Sequence, residues 1–274
     1  MKDWKDTNHA DLLAEPAVAE VVRYSRTSAF HAITVIDIGF RRILRFGRNP
    51  QSSMYLDDPY QTDFEYPGYF HLALAIRPDA ARTLAIGLGG GTVVKRMWRD
   101  YPEMHVDAVE LDPEVVEVAK RFFALPDDPR VRVIVDDGAH FLETAPDTYD
   151  ILIVDAFDDD RIPLQLATQE FMLAARDRLN EGGVIVYNFI GALTGDRSEP
   201  FRDLYHLVSD AWRQVWVFDV NEGVEAEGGN LILLASDATL SAADLRARIA
   251  DRVEGRVSVP AFHLFGEDLY EGPK

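Results

Sequence analysis

Between residues 83 and 190, five short apolar runs alternate with stretches of helical spacing, and this alternation limits the fold more than any other feature. The runs are TLAIGL, HVDAVEL, VRVIVD, YDILIVDAF and GVIVYNFI. Between them lie GTVVKRMWRDY, PEVVEVAKRFFAL, GAHFLETA and LATQEFMLAARDRL, each able to cross back over a sheet. A strand that follows a crossover helix runs parallel to its predecessor, so the pattern predicts a parallel sheet covered on both faces. Two later runs, VWVFDV (215–220) and NLILLAS (230–236), have only nine residues between them. So short a link holds no crossover helix, and the pair is expected to be antiparallel, with the polar stretch NEGVEAEGGN as its loop.

That hairpin separates two α/β designs. A dinucleotide-binding sheet is usually parallel throughout, whereas the methyltransferase-type doubly wound sheet has seven strands and ends in an antiparallel hairpin. The second is the expected fold class. Ahead of it, AFHAITVID (29–37) and RRILRF (41–46) read as a β-hairpin, with a third extended piece near 52–56. Residues 10–24 have helical spacing broken by Pro16. The division expected is therefore a small N-terminal helix and β-hairpin domain over 1–65 and a ligand-binding catalytic domain over 66–274. A last amphipathic helix is expected over 241–253, with Ser241 as its N-cap.

Charge narrows the partners. The 274 residues include 47 acidic and 28 basic side chains, a net charge of -19, so the mean field repels nucleic acid and anionic membrane and favours a cationic or neutral substrate. With no cysteine there is no disulfide, thiolate nucleophile or cysteine-held metal. The seven histidines are scattered without close ligand spacing, and no metal is expected. His31 reads as packed rather than catalytic. No apolar stretch approaches a membrane span and the N-terminus lacks the apolar core of a signal peptide, so a cytoplasmic protein is expected.

The first run ends in LAIGLGGGTVVK (84–95). A dinucleotide fingerprint starting at Gly87 needs glycine at 87, 89 and 92; Gly87 and Gly89 comply, Gly90 lies within the turn, and position 92 is Thr. No Gly-Lys-Ser/Thr ending follows, which removes a phosphate P-loop. Glu110 closes the second strand, 23 residues after Gly87, where a carboxylate accepts hydrogen bonds from vicinal ribose hydroxyls. Asp136, Asp137 and Gly138 close the third, with Asp137 able to meet an adenine amino group or to cap a helix. His140 follows three residues later and is a further candidate for that wall. After the fourth strand comes VDAFDDDRIP, in which Asp155 and Asp158 are spaced D-x-x-D with Asp159 and Asp160 behind them. Crowded carboxylates repel unless a cation sits among them, and either Mg²⁺ or an ammonium substrate would serve. Asn188 and Phe189, beyond the fifth strand, either face an acceptor or simply end a strand.

The order and spacing of these blocks resemble the spermidine synthases, polyamine aminopropyltransferases built on a class I methyltransferase fold. The resemblance runs through the N-terminal hairpins, the GGG turn, VELDPEVVEVAKRFF, DPRVRVIVDDGAHFL, YDILIVDAFDDD and LATQEFMLAARDRLNEGGVIV. It implies that Glu110 binds the ribose of an S-adenosyl group, Asp137 binds its adenine, and the Asp155/Asp158 pair receives the attacking amine. It also sets Tyr66, in FEYPGYF, in the amine pocket, and it implies a homo-oligomer, typically a dimer. The chain departs from the pattern at Thr92, where the family has an Asp gripping the donor's amino group. It departs again at Pro67-Gly68 and at NEGVEAEGGN, where the family shapes its polyamine pocket.

The chemistry expected is alkylation of an amine by a sulfonium. The co-substrate is decarboxylated S-adenosylmethionine or S-adenosylmethionine, and the partner a small cationic amine such as putrescine. An alkylamine with a pKa near 10.4 gives up about 4 to 5 kcal/mol to lose its proton at pH 7. Asp158 is the candidate general base and Asp155 the candidate for orienting the ammonium. Methyl transfer on the same scaffold and a non-catalytic nucleoside-binding module are the alternatives.

Overall fold

The computed structural model describes residues 19–158, 162–195, 197–220, 229–253 and 269–270. Its larger sheet contains β5 (Arg82–Ile86), β6 (His105–Glu110), β7 (Val131–Val135), β8 (Tyr149–Val154), β9 (Leu179–Gly191), β10 (Gln214–Asp219) and β11 (Gly229–Ser236). A two-residue strand, β12 (Leu269–Tyr270), adds to the β10 edge. The spatial order is β12-β10-β11-β9-β8-β5-β6-β7. The neighbours from β9 to β7 are parallel, and β11 is antiparallel to both β10 and β9. The sheet is thus the seven-stranded design expected, including the terminal antiparallel hairpin, with β12 beyond it. The hairpin loop itself, at residues 221–228, lies outside the described residues.

The central strands are buried on both faces. Along β8, Ile151 and Ile153 point into one core while Leu152 and Val154 point into the other, and all four have no solvent exposure. That two-sided burial is why these strands read as continuous apolar runs rather than alternating ones. The first face is covered by α1 (Ala73–Ile76), α2 (Thr92–Asp100), α3 (Pro113–Phe122) and α7 (Ala242–Arg252), the second by α4 (Gly138–Thr144), α5 (Gln169–Arg178) and α6 (Glu199–Ala211). Local caps fix where several of these start. Asp112 accepts from the Glu114 N–H ahead of α3, and Ser241 and Asp244 form a reciprocal capping box on α7.

The N-terminal strands β1 (Val21–Thr27), β2 (Ala32–Ile38), β3 (Arg41–Phe46) and β4 (Asn49–Tyr55) form an antiparallel meander in chain order. The expected β2–β3 hairpin and the third extended piece are both present. The helix expected over 10–24 is not formed at its C-terminal end, where Val21–Tyr24 belong to β1; residues 1–18 lie outside the described residues. The β-branched pair Val21-Val22 and the backbone ladder to Asp37 and Ile36 override the helical spacing there. One side of this sheet packs on α3: Ile33, Val35, Leu44, Phe46 and Met54 form a core with Val115, Val118 and Phe123.

Between β5 and β8 the chain changes direction. It moves outward through β6 and β7, then returns to the other side of β5 as β8 and β9. Ligands in open α/β sheets bind in the crevice that such a switch opens at the carboxyl ends of the strands.

Candidate functional site

At that crevice lies a cavity of about 540 Å³, within the size range of small-molecule sites. Its walls include Gly87, Gly89, Glu110, Asp137, Gly138, Tyr66, Asp155 and Asp158, so of the glycines, carboxylates and tyrosine given a binding or catalytic role from the sequence all but one meet in one chamber. Gly90 is the exception. Its N–H donates to the Ser52 hydroxyl at 2.8 Å, and a Cβ there would meet the Phe123 ring at 2.8 Å, so it seats the turn against β4 rather than facing the cavity.

The turn after β5 is built by close approach. Gly87 has φ +96°, and a Cβ would stand 2.2 Å from the Asp155 carbonyl oxygen. No other residue fits there without separating β5 from β8. Gly138, at the start of α4, is equally confined: its Cβ would fall 2.4 Å from the Ile86 side chain. Backbone bonds then latch neighbouring strand ends together, from Gly87 N–H to Val109 O, Asp155 N–H to Ile86 O and Asp136 N–H to Glu110 O.

Glu110 is buried at the mouth of β6. One carboxylate oxygen accepts from the Leu88 N–H at 3.1 Å and the other from the Asp112 N–H at 2.9 Å. Burial raises its pKa, while these two N–H groups pull it back. Each oxygen keeps a second lone pair, which leaves the carboxylate able to accept two hydroxyls. Asp137 caps α4, its Oδ1 accepting from the N–H groups of Ala139 and His140 at 2.9 and 3.1 Å. Asp137 is thus a helix cap that also stands on the cavity wall. His140 is not on that wall; it is exposed and paired with Asp136.

Asp155 and Asp158 differ sharply. Burial pushes the Asp155 carboxyl up to about 6, opposed by hydrogen bonds from Asn188 (Nδ2 to Oδ1, 2.8 Å) and the Tyr66 hydroxyl (to Oδ2, 3.5 Å). The Tyr66 phenol is itself held well above its ordinary value by burial. Asp158 is exposed on the loop that follows β8. Asp159 and Asp160 lie outside the described residues. Five carboxylates line the chamber, from Glu110, Asp136, Asp137, Asp155 and Asp158, and no Lys or Arg does among the described residues. Such walls attract a cation. No cluster of three or more His, Asp or Glu side chains among the described residues could hold a metal ion.

Sequence reasoning missed the part of the wall that is distant in the chain. Phe30 and His31 come from the turn between β1 and β2, Phe46 from β3, Gln51 and Ser52 from β4, and Leu164 and Gln165 from the segment after the acidic loop. His31 is packed, stacked on Phe46 with centroids 3.9 Å apart, and it also faces the cavity. The non-local docking of the N-terminal sheet, with β4 over the glycine turn, brings the first five of these in.

Residues 68–189 match the model of the spermine/spermidine synthase domain. A polyamine aminopropyltransferase of Vibrio vulnificus is 31% identical over 222 residues, covering 77% of this chain and 71% of that protein. One from Chromobacterium violaceum is 30% identical over 243 residues, covering 87% and 88% respectively. The chain belongs to the spermine/spermidine synthase family. Some other relatives of the family are matched over only 27% and 34% of their own length. In three dimensions the fold is similar to a spermidine synthase solved in complex with the transition state analogue AdoDATO, with a TM-score of 0.70 at 20% identity over 85% of this chain and 80% of that one. The matched domain of the family spans the glycine turn, Glu110, Asp137 and both Asp155 and Asp158. Tyr66 and the N-terminal residues of the cavity fall ahead of it.

Proposed function

We propose that this chain is a transferase that moves an aminopropyl group from decarboxylated S-adenosylmethionine to a small amine such as putrescine, releasing methylthioadenosine. The observation that carries it is the single chamber in which Glu110, Asp137, Asp155 and Asp158 converge without a Lys or Arg. Glu110 would accept the ribose hydroxyls, Asp137 the adenine amino group, and the glycine turn would let the nucleoside lie against bare backbone. The donor's sulfonium and the acceptor's ammonium then both face carboxylates.

In the transfer, the amine nitrogen attacks the aminopropyl carbon bonded to sulfur. A C–N bond forms, the C–S bond breaks, and its electron pair stays on sulfur as the neutral thioether. Attack needs a free lone pair, so one proton must leave the ammonium. Asp155, with Oδ1 occupied by Asn188, presents Oδ2 to hold the cation in line, and Asp158, on the solvent side, takes the proton to water.

The aminopropyltransferase names of the relatives favour this chemistry over methyl transfer or silent nucleoside binding. The same reading keeps a boundary near 65/66, where a short helical turn over Tyr66–Leu72 begins beyond the end of β4 at Tyr55, and a cytoplasmic homo-oligomer, a dimer in the first instance, as the family resemblance implies. Among the described residues, no helix is long and apolar enough to cross a membrane. Incubation with decarboxylated S-adenosylmethionine and putrescine, followed by mass analysis, should give equimolar spermidine and methylthioadenosine. Tight methylthioadenosine binding with no product from any of several diamines would overturn the proposal.

A further inference from the structure

Behind Asp155 runs a short chain of amides. Asp155 Oδ1 accepts from Asn188 Nδ2 at 2.8 Å, and Asn188 Oδ1 accepts from Asn230 Nδ2 at 2.9 Å. Asn188 lies in β9 with only 1% of its surface exposed, and Asn230 lies on the adjacent antiparallel strand β11, diagonal to it, since Asn188 opposes Ile232 and Asn230 opposes Ile190. A buried side-chain amide has a donor end and an acceptor end, and turning it over exchanges them. Asn230 decides which end Asn188 offers. As long as Asn230 donates to the Asn188 oxygen, the Asn188 amino group must face Asp155, and a donor facing a carboxyl suits the ionised form. The reverse orientation, with the Asn188 oxygen toward Asp155, is satisfied only when Asp155 carries a proton.

We infer that Asn188 and Asn230 are positioning residues for the transfer reaction: Asn230 fixes the direction of the Asn188 amide, which occupies Asp155 Oδ1 and leaves Oδ2, beside Tyr66, as the one oxygen offered to the ammonium. The inference rests on the proposed function for its kinetic consequence, but the relay is a property of the folded chain alone. Other titratable groups also surround Asp155. Tyr66 contacts Oδ2, with Arg96 acting on Tyr66 from α2. Asp158, Glu110, Asp136, Asp137 and His31 share the cavity, and Asp219 ends β10 beside β11. None of them touches Oδ1, so the relay can be perturbed from Asn230 without altering them.

Three variants at the half-buried position 230 separate orientation from bulk and charge. Asn230→Ser retains a hydroxyl donor toward Asn188. Asn230→Leu removes the donor without adding charge. Asn230→Asp supplies an acceptor that draws the Asn188 amino group away from Asp155. The dependence of kcat/KM for the amine on pH should show its acidic limb rising in the order wild type, Ser, Leu, Asp. The Asp variant should move by about one pH unit or more, a loss of about tenfold on the acid side, because a charge-assisted hydrogen bond is exchanged for a repulsive contact. Donor affinity, read by calorimetry, should stay constant across the series. A Leu variant whose limb coincides with wild type would overturn the inference, even if the Asp variant shifts, as would a uniform loss of rate with all limbs unmoved. Carbon-detected NMR titration of aspartate carboxyls gives the same ordering for Asp155 without turnover. A wild-type protein that turns over no amine therefore sinks the function, whereas unshifted Asp155 titrations in the Leu and Asp variants sink the relay.

Discussion

Replacing Asp155 by Asn should make the protein more stable while removing its affinity for the amine. The Asp155 carboxyl is raised from 3.8 to about 6 by burial, so between those values the folded chain holds a proton that the unfolded chain has lost. A group raised in this way stabilises the fold fully below about pH 4, and that contribution is lost as pH climbs through 6. By pH 8 the ionised carboxylate costs about 2 to 3 kcal/mol relative to an unperturbed aspartate, from a rise of about two units at 1.36 kcal/mol each. Asn has nearly the same shape, can still accept from Asn188, and carries no charge to desolvate. Denaturant unfolding should therefore show the Asn variant ahead by about 2 to 3 kcal/mol at pH 8, equivalent to roughly 5 to 10 °C in a chain of this size. The advantage should disappear near pH 4. Equal stability at pH 8, or a variant weaker at both pH values, would refute the reasoning that a desolvated charge is stored at this position. The same variant should fail to bind putrescine, tying the cost of the charge to its use.

Other substitutions probe the remaining walls. Gly87→Ala places a methyl 2.2 Å from the Asp155 carbonyl at φ +96° and should destabilise the protein by about 2 kcal/mol or more in chemical denaturation, with donor binding lost at permissive temperature. Glu110→Gln leaves one of the Leu88 and Asp112 N–H groups facing an amide nitrogen; donor affinity by calorimetry should fall about tenfold or more, and an unchanged affinity would remove Glu110 from the ribose contact. Asp158→Asn should reduce the rate of amine alkylation about a hundredfold with donor binding intact, and an unaltered rate would assign proton transfer elsewhere.

What the sequence made legible was whatever depends on local order. The strand–helix alternation required a parallel sheet, and the nine residues between the last two long strands required β10 and β11 to be antiparallel, as they are. Glu110, Asp137 and Asp155 were found because each closes a strand, and strand ends of a doubly wound sheet share a rim. Helix α6 falls in a segment that the strand–helix reading left unassigned, although Pro200 in its first turn and Phe201, Leu204 and Val208 at i, i+3 and i+7 carry the helical pattern. Strand β1 was hidden by a helical pattern that its pairing with β2 overrides. The hidden half of the cavity has a different cause. Ser52 meets Gly90 across 38 residues, through a contact that only tertiary packing creates. Even Gly90, legible as part of a ligand turn, turned out to serve packing against Phe123, because a glycine run records close approach without saying to what.

In the proposed enzyme one chamber holds a sulfonium nucleoside between Glu110 and Asp137 and directs its reactive carbon at Asp155. A crystal structure of the complex with methylthioadenosine and putrescine tests it most directly. Ribose hydroxyls should lie within hydrogen-bond distance of Glu110, adenine beside Asp137, and the amine nitrogen on Asp155 Oδ2 facing the thioether sulfur. A nucleoside bound away from Glu110, or an amine seated where Asp155 cannot reach it, would rule out this arrangement.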